Sequence, residues 1–222
     1  MSDQTTPRSE SAREAMQTRI LHAAGKLFAA RGYEATTMQN IVSEARTSIG
    51  NAYFYFENKD ALMRALLKTS FVELFDAAEQ CAAHVPYGPQ KVGAIIAANA
   101  TAILTARSRM LDLLTTDSRL GVIQQLGDIA VLRWTRILAA SYPERDPNEL
   151  SLAAAAIWGA NRSLVERSAR GIFTVDTKTA VSFMVRWALR ALGTQPSRID
   201  AIVASSWRLA ARHARELEAE SW

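Results

Sequence analysis

Apolar residues recur along this chain at steps of three and four, and no run alternates in the way a half-buried strand requires, so the pattern predicts helices throughout. A first helix over about 12–31 puts Ile20, Ala24, Leu27 and Phe28 on one face, with Gly32 positioned as its stop. Thr37 then precedes Met38, Ile41, Val42 and Ala45, a short apolar face whose first amides the threonine can cap. Arg46 and Thr47 interrupt the face, and Ser48 can cap a second short helix through Ile49, Gly50, Asn51, Ala52 and Tyr53 to about Phe54.

A long helix follows over about 58–84, striped by Leu62, Leu66, Phe71, Leu74, Phe75 and Ala78, until Pro86, Gly88 and Pro89 break the chain. The segment 90–106 is apolar on most sides, as a helix at the middle of a bundle must be. Further helices are predicted over about 108–116, 118–141, 148–170, 177–192 and 197–218, separated by Pro143, Pro147, Gly193 and Pro196. In 148–170, Leu150, Ala154, Ile157, Asn161, Leu164 and Ser168 fall on a seam that can face a partner helix. The 177–192 segment, with Val181, Phe183, Met184, Val185, Trp187, Leu189 and Leu192, is apolar nearly all round, more than one protomer's core needs.

The two short helices carry candidate chemistry. A helix-turn-helix sends the N-terminal part of its second helix into the major groove of DNA, which makes Ser48, Ile49, Gly50 and Asn51 candidate base contacts. Tyr53 and Tyr55 have hydroxyls suited to phosphate oxygens, Lys59 opens the next helix with an ammonium, and Arg46 in the turn is either solvated or a phosphate contact. Phe54 and Phe56 read as packing residues of the small head.

Residues 19–67, from Arg19-Ile20-Leu21-His22-Ala23-Ala24 through Leu27-Phe28, Gly32, Thr36-Thr37, Ile41, Ser48, Gly50, Tyr53, Tyr55-Phe56 and Lys59 to Leu62, resemble the N-terminal domain of TetR-family transcriptional regulators. The remainder resembles the family only in length and helicity. The resemblance implies an all-α protein with a three-helix head and a larger helical-bundle body. It also implies DNA contacts at Thr37, Gln39, Asn51, Tyr53 and Lys59. Two positions depart from the pattern: Arg46 stands where the family usually has glycine, and Gln39 where it often has a basic residue. A side chain pays to enter the left-handed backbone region, so Arg46 predicts a turn of different shape.

Composition adds bounds. The 222 residues, 49 % of them hydrophobic, suffice for a buried core in two unequal units: an arm over 1–12, a DNA-binding domain over 13–59, and a ligand-binding and dimerisation domain over 60–222. The net charge of +4 does not by itself argue for nucleic acid, because the bases up to Asp60 are matched by as many acids. With one cysteine, Cys81, a polar N-terminus and no apolar run of spanning length, the chain reads as cytoplasmic, with no membrane partner.

Enzymatic signatures are missing from the sequence: His22, His84 and His213 lie far apart, and no nucleophile elbow or phosphate loop occurs. Neither catalysis, nor a cofactor, nor a metal is expected; Cys81 and His84 share a helix without a second ligand pair. Phe71, Phe75, Met110 and Trp134 can wall a site for a small, largely apolar effector, with Asn99 and Thr105 as polar contacts, although each can equally be ordinary core. Ala154, Ile157, Asn161, Leu164, Met184 and Trp187 are the candidate dimer contacts. The resemblance implies a repressor that a small molecule releases, and with it the sequence reads as a homodimeric, ligand-responsive regulator on a pseudo-palindromic operator in double-stranded DNA. The rival reading is a helical ligand-binding or scaffold protein whose head has lost DNA affinity, motivated by Arg46, Gln39 and the uncharged balance of the head.

Overall fold

A computed structural model describes residues 7–105, 121–169 and 171–220. Those residues are all-helical and form nine helices: α1 (Pro7–Arg31), α2 (Met38–Glu44), α3 (Ile49–Tyr55), α4 (Lys59–Cys81), α5 (Pro89–Thr105), α6 (Val122–Ser141), α7 (Pro147–Ala169), α8 (Thr177–Ala191) and α9 (Pro196–Glu220). The predicted 108–116 helix, and Met110 with it, lie outside the described residues.

The chain divides into two compact units, Met1–Ser70 and Phe71–Trp222. In the first, α1 packs on α2 and α2 on α3, around a core of Ile20, Ala24, Phe28, Ile41, Val42, Ala45 and Ala52. Contrary to the arm expected over 1–12, α1 is helical from Pro7. Proline suits a first helical turn because its missing N–H would have had no partner there. Gly32 ends α1 as the pattern predicts, at φ 80° with its N–H on the Phe28 carbonyl. The first turns of α4 belong to this unit: Leu66 reaches Gly25 of α1, and Tyr33 donates to the carboxylate of Asp60. The unit boundary therefore falls inside α4, beyond the division at 59 and 60 that the sequence suggests.

In the second unit α5 is buried on nearly every side, packing on α6, α7, α8 and α9. Gly93 lets it sit close: a Cβ there would lie 2.9 Å from Ser206 Oγ, 3.0 Å from Ile202 and 3.2 Å from Val185. α6 pairs with α7, and α8 with α9. Four aromatics interlock, Phe71 edge-on to Trp158 at 5.5 Å and Phe75 edge-on to Trp134 at 5.6 Å, with Phe71 and Phe75 6.2 Å apart. Arg133 and Arg136 of α6 hold α4 from outside, at 2.5 Å to Asp76 and 2.9 Å to Glu79.

The long helix stops at Cys81, short of the predicted residue 84. Pro86 has no N–H to give the Ala82 carbonyl four residues back, so the helix cannot run on. Buried Lys91 takes up the freed carbonyls, its ammonium donating to Ala82 at 2.6 Å and Ala83 at 3.3 Å.

Candidate nucleic-acid interface

Two capped helices and the turn between them make the site. Thr37 accepts from the Asn40 N–H at 3.2 Å while its own N–H donates to Asn40 Oδ1 at 3.0 Å, a reciprocal capping box that starts α2. At its other end the Arg46 N–H donates to the Ser43 carbonyl and the Thr47 N–H to the Val42 carbonyl, the paired bonds of a Schellman stop. That stop requires a left-handed residue. Arg46 takes it, at φ 51°, the one non-glycine with positive φ among the described residues. Arg46 thus enters the left-handed region that the sequence counts against a side chain there, and its backbone carries a strain of about 1 to 2 kcal/mol.

Ser48 then caps α3, accepting from the Asn51 N–H at 3.1 Å, and the Asn51 amide donates to Thr47 Oγ1 at 2.8 Å. Only Ala52 of α3 is fully buried. Thr37, Gln39, Arg46, Ser48, Ile49, Gly50 and Tyr53 are exposed, while Asn51 and Tyr55 are half-buried. The structure thus brings these candidates onto one capped two-helix unit. Phe54 departs from its predicted packing role: it is 63 % exposed, and Phe56 alone of the pair is buried.

Lys59 is placed differently from a free phosphate contact. Its ammonium donates to the carbonyls of Tyr33 and Thr36, each at 3.0 Å, and lies 4.2 Å from the centre of the Tyr33 ring. Two of its three N–H groups are thereby engaged. Burial and the bond to Asp60 push the Tyr33 hydroxyl well above the usual tyrosine range, so it stays protonated and donating. Thr36, which the sequence offers as part of the resemblance but with no role, is wholly buried with its hydroxyl on the Gly32 carbonyl at 2.8 Å. A threonine four residues past a helix-stopping glycine was the available signal. Lys26 pairs with Glu44 at 2.6 Å, and the ammonium holds that carboxyl below the usual glutamate range.

The body's candidates scatter more. Phe71, Phe75 and Trp134 meet in the aromatic cluster, and Asn99 is buried with its amide nitrogen unpartnered among the described residues. Thr105 does not join them: it is exposed, and its hydroxyl donates to the Thr101 carbonyl of its own helix at 2.7 Å. The seam expected to face a partner is also corrected. Ala154, Ile157 and Met184 are buried within this chain, whose core took them up, while Asn161 and Leu164 are half-buried. α8 buries Val181, Met184, Val185 and Leu189 and exposes two large apolar residues, Phe183 and Trp187, one turn apart. Among the described residues no helix is long and apolar enough to cross a membrane.

The model of the bacterial regulatory proteins of the tetR family matches residues 20–66, the stretch that builds this unit. Residues 20–66 thus make a TetR-family N-terminal domain. It is 34 % identical over 68 residues to the "Uncharacterized HTH-type transcriptional regulator YfiR" of Bacillus subtilis (strain 168), a match covering 31 % of this chain and 33 % of that protein. The match thus spans about a third of that relative's length. Among solved structures, a TetR-like transcriptional regulator from Rhodococcus sp. RHA1 superposes with TM-score 0.54 at 21 % identity, over 81 % of this chain and 97 % of that one. FadR from Bacillus subtilis, in complex with stearoyl-CoA, superposes with TM-score 0.60 at 18 % identity, over 78 % of this chain and 98 % of that one. At such identities the likeness is one of fold, and it extends the TetR architecture through the body.

Proposed function

We propose that this TetR-family protein is a homodimeric transcriptional repressor whose head binds a pseudo-palindromic operator and whose body binds a small, largely apolar ligand that releases it. The observation that carries the reading is the capped α2–turn–α3 unit, which displays Thr37, Gln39, Ser48, Ile49, Gly50 and Tyr53 to solvent on a rigid support. Asn51, locked to Thr47, and Ser48 suit base edges; Thr37, Tyr53, Tyr55, Arg46 and the remaining N–H of Lys59 suit phosphates.

For the effector, the support is chemical. Phe71, Phe75 and Trp134 supply apolar walls, and the unpartnered amide of Asn99 supplies a donor that a ligand acceptor would satisfy. FadR from Bacillus subtilis, a protein of this fold, has been solved in complex with stearoyl-CoA. α4 carries Lys59 at its start and Phe71 and Phe75 in its second half, so a ligand that shifts its packing in the body acts on a helix of the head. A tenfold release needs a preference of about 1.4 kcal/mol between two states. For the dimer, exposed Trp187 and Phe183 on α8, together with Asn161 and Leu164 of α7, are the contacts that remain available.

A gel shift with the DNA flanking its own gene, at several salt concentrations, tests the reading. Binding that weakens linearly with log salt is expected, with light scattering giving a dimer. Hydrophobic compounds that perturb tryptophan fluorescence should release the same DNA. Absence of salt-dependent binding would leave the protein a ligand-binding helical body with an idle head.

A further inference from the structure

The recognition helix presents a surface that its polar contacts do not account for. Ala52, 0 % exposed, marks the side of α3 that faces the head core. At about 100° per residue, Gly50 and Phe54 point the opposite way, one turn apart. Gly50 is open, since a Cβ there would meet nothing within 4 Å. Phe54, 63 % exposed, is therefore the outermost large side chain of the face offered to the groove.

That ring has a partner. The guanidinium of Arg13 lies over it, 5.0 Å from its centre, and Tyr55 meets it edge-on at 5.2 Å. Arg13 belongs to α1, which is helical from Pro7, so it is carried by a fixed element. We propose that Arg13 is a phosphate-contacting residue, and that Phe54 is the positioning residue that stations it beside the groove face of α3. The inference rests on the reading of α3 as the DNA-facing helix. A guanidinium over a ring engages the ring with its face and leaves its in-plane N–H groups free, and those match a phosphate in bidentate fashion. Of the other cations close to the site, Lys26 pairs with Glu44 and Lys59 gives two of its N–H groups to carbonyls, while Arg46 stands in the turn. Arg13 thus supplies charge where the head, whose bases and acids balance, has little to spare.

The test uses the full chain and a mixed-sequence DNA duplex, because a phosphate contact carries no sequence information. Arg13→Ala should lower affinity severalfold and reduce the slope of log affinity against log salt by about one unit. Phe54→Ala should lose as much although the arginine remains, and the double variant should be no weaker than Arg13→Ala alone. Arg13→Lys, which keeps the charge without the planar fork, should recover only part of the loss. Thermal melts of Arg13→Ala should match the parent, since both partners lie at the surface. An unchanged salt slope in Arg13→Ala, while Tyr53→Phe still weakens binding, overturns the proposal and leaves the DNA-binding reading standing. Strictly additive losses overturn the pairing. A parent protein without salt-dependent binding overturns both.

Discussion

Head and body hold their important side chains by opposite means. In the head, Thr37, Ser48 and Asn51 are oriented by bonds to residues three or four positions away. In the body, Phe75 of α4 meets Trp134 of α6, and Phe71 meets Trp158 of α7, across long stretches of sequence. A surface built from local bonds can change its contacts without endangering the fold. A site built from core aromatics cannot, so a ligand entering there must displace packing that also supplies stability.

That contrast can be broken at the body first. Trp134, 2 % exposed, should cost about 3 to 5 kcal/mol when truncated to alanine, read from urea unfolding followed by circular dichroism. A loss below about 1 kcal/mol would instead show a cluster loose enough to open for a ligand. Gly93→Val should come next, at about 1 to 3 kcal/mol, because the new side chain meets Ile202 and Val185, both stiff at their β-carbons, as well as Ser206. A neutral Gly93→Val would mean that α5, α8 and α9 can separate at little cost.

In the head the effects are smaller and one has the opposite sign. Arg46→Gly should stabilise by about 1 kcal/mol, since glycine accepts the left-handed backbone at φ 51° without steric cost. A destabilised variant would show that the arginine side chain contributes more than its backbone loses. Smallest is the Lys26–Glu44 pair. The carboxyl's folded-state pKa lies below its unfolded one, so the pair's contribution is present above the ordinary glutamate value and is lost as pH falls through the depressed one. Glu44→Gln should therefore match the parent in acid and fall slightly behind it near neutrality, measured as urea midpoints across that range. Equal midpoints at every pH would remove the pair from the account.

How far the sequence could be read follows from the same contrast. Caps and stops depend on a few consecutive residues, so Thr37, Ser48 and Gly32 were legible, and the periodicity of 90–106 correctly implied a helix surrounded on all sides. Periodicity does not name the neighbour. Ala154, Ile157 and Met184 fit a seam between protomers as well as a seam within one, and the chain's own helices claimed them.

What the sequence determined by itself was helical throughout and local: which segments coil, where the two short helices begin, and which residues a TetR-like head displays. Only the tertiary structure decided the fate of groups whose partners lie far along the chain. Lys91 reads as a solvated charge until two carbonyls past the end of α4 are found to bury it. Lys59 reads as a free cation until the chain between α1 and α2 folds over it. Phe54 reads as core until Ala52 is seen to occupy the inward side of α3. A helix of seven residues has little inward surface, and the small side chain took it.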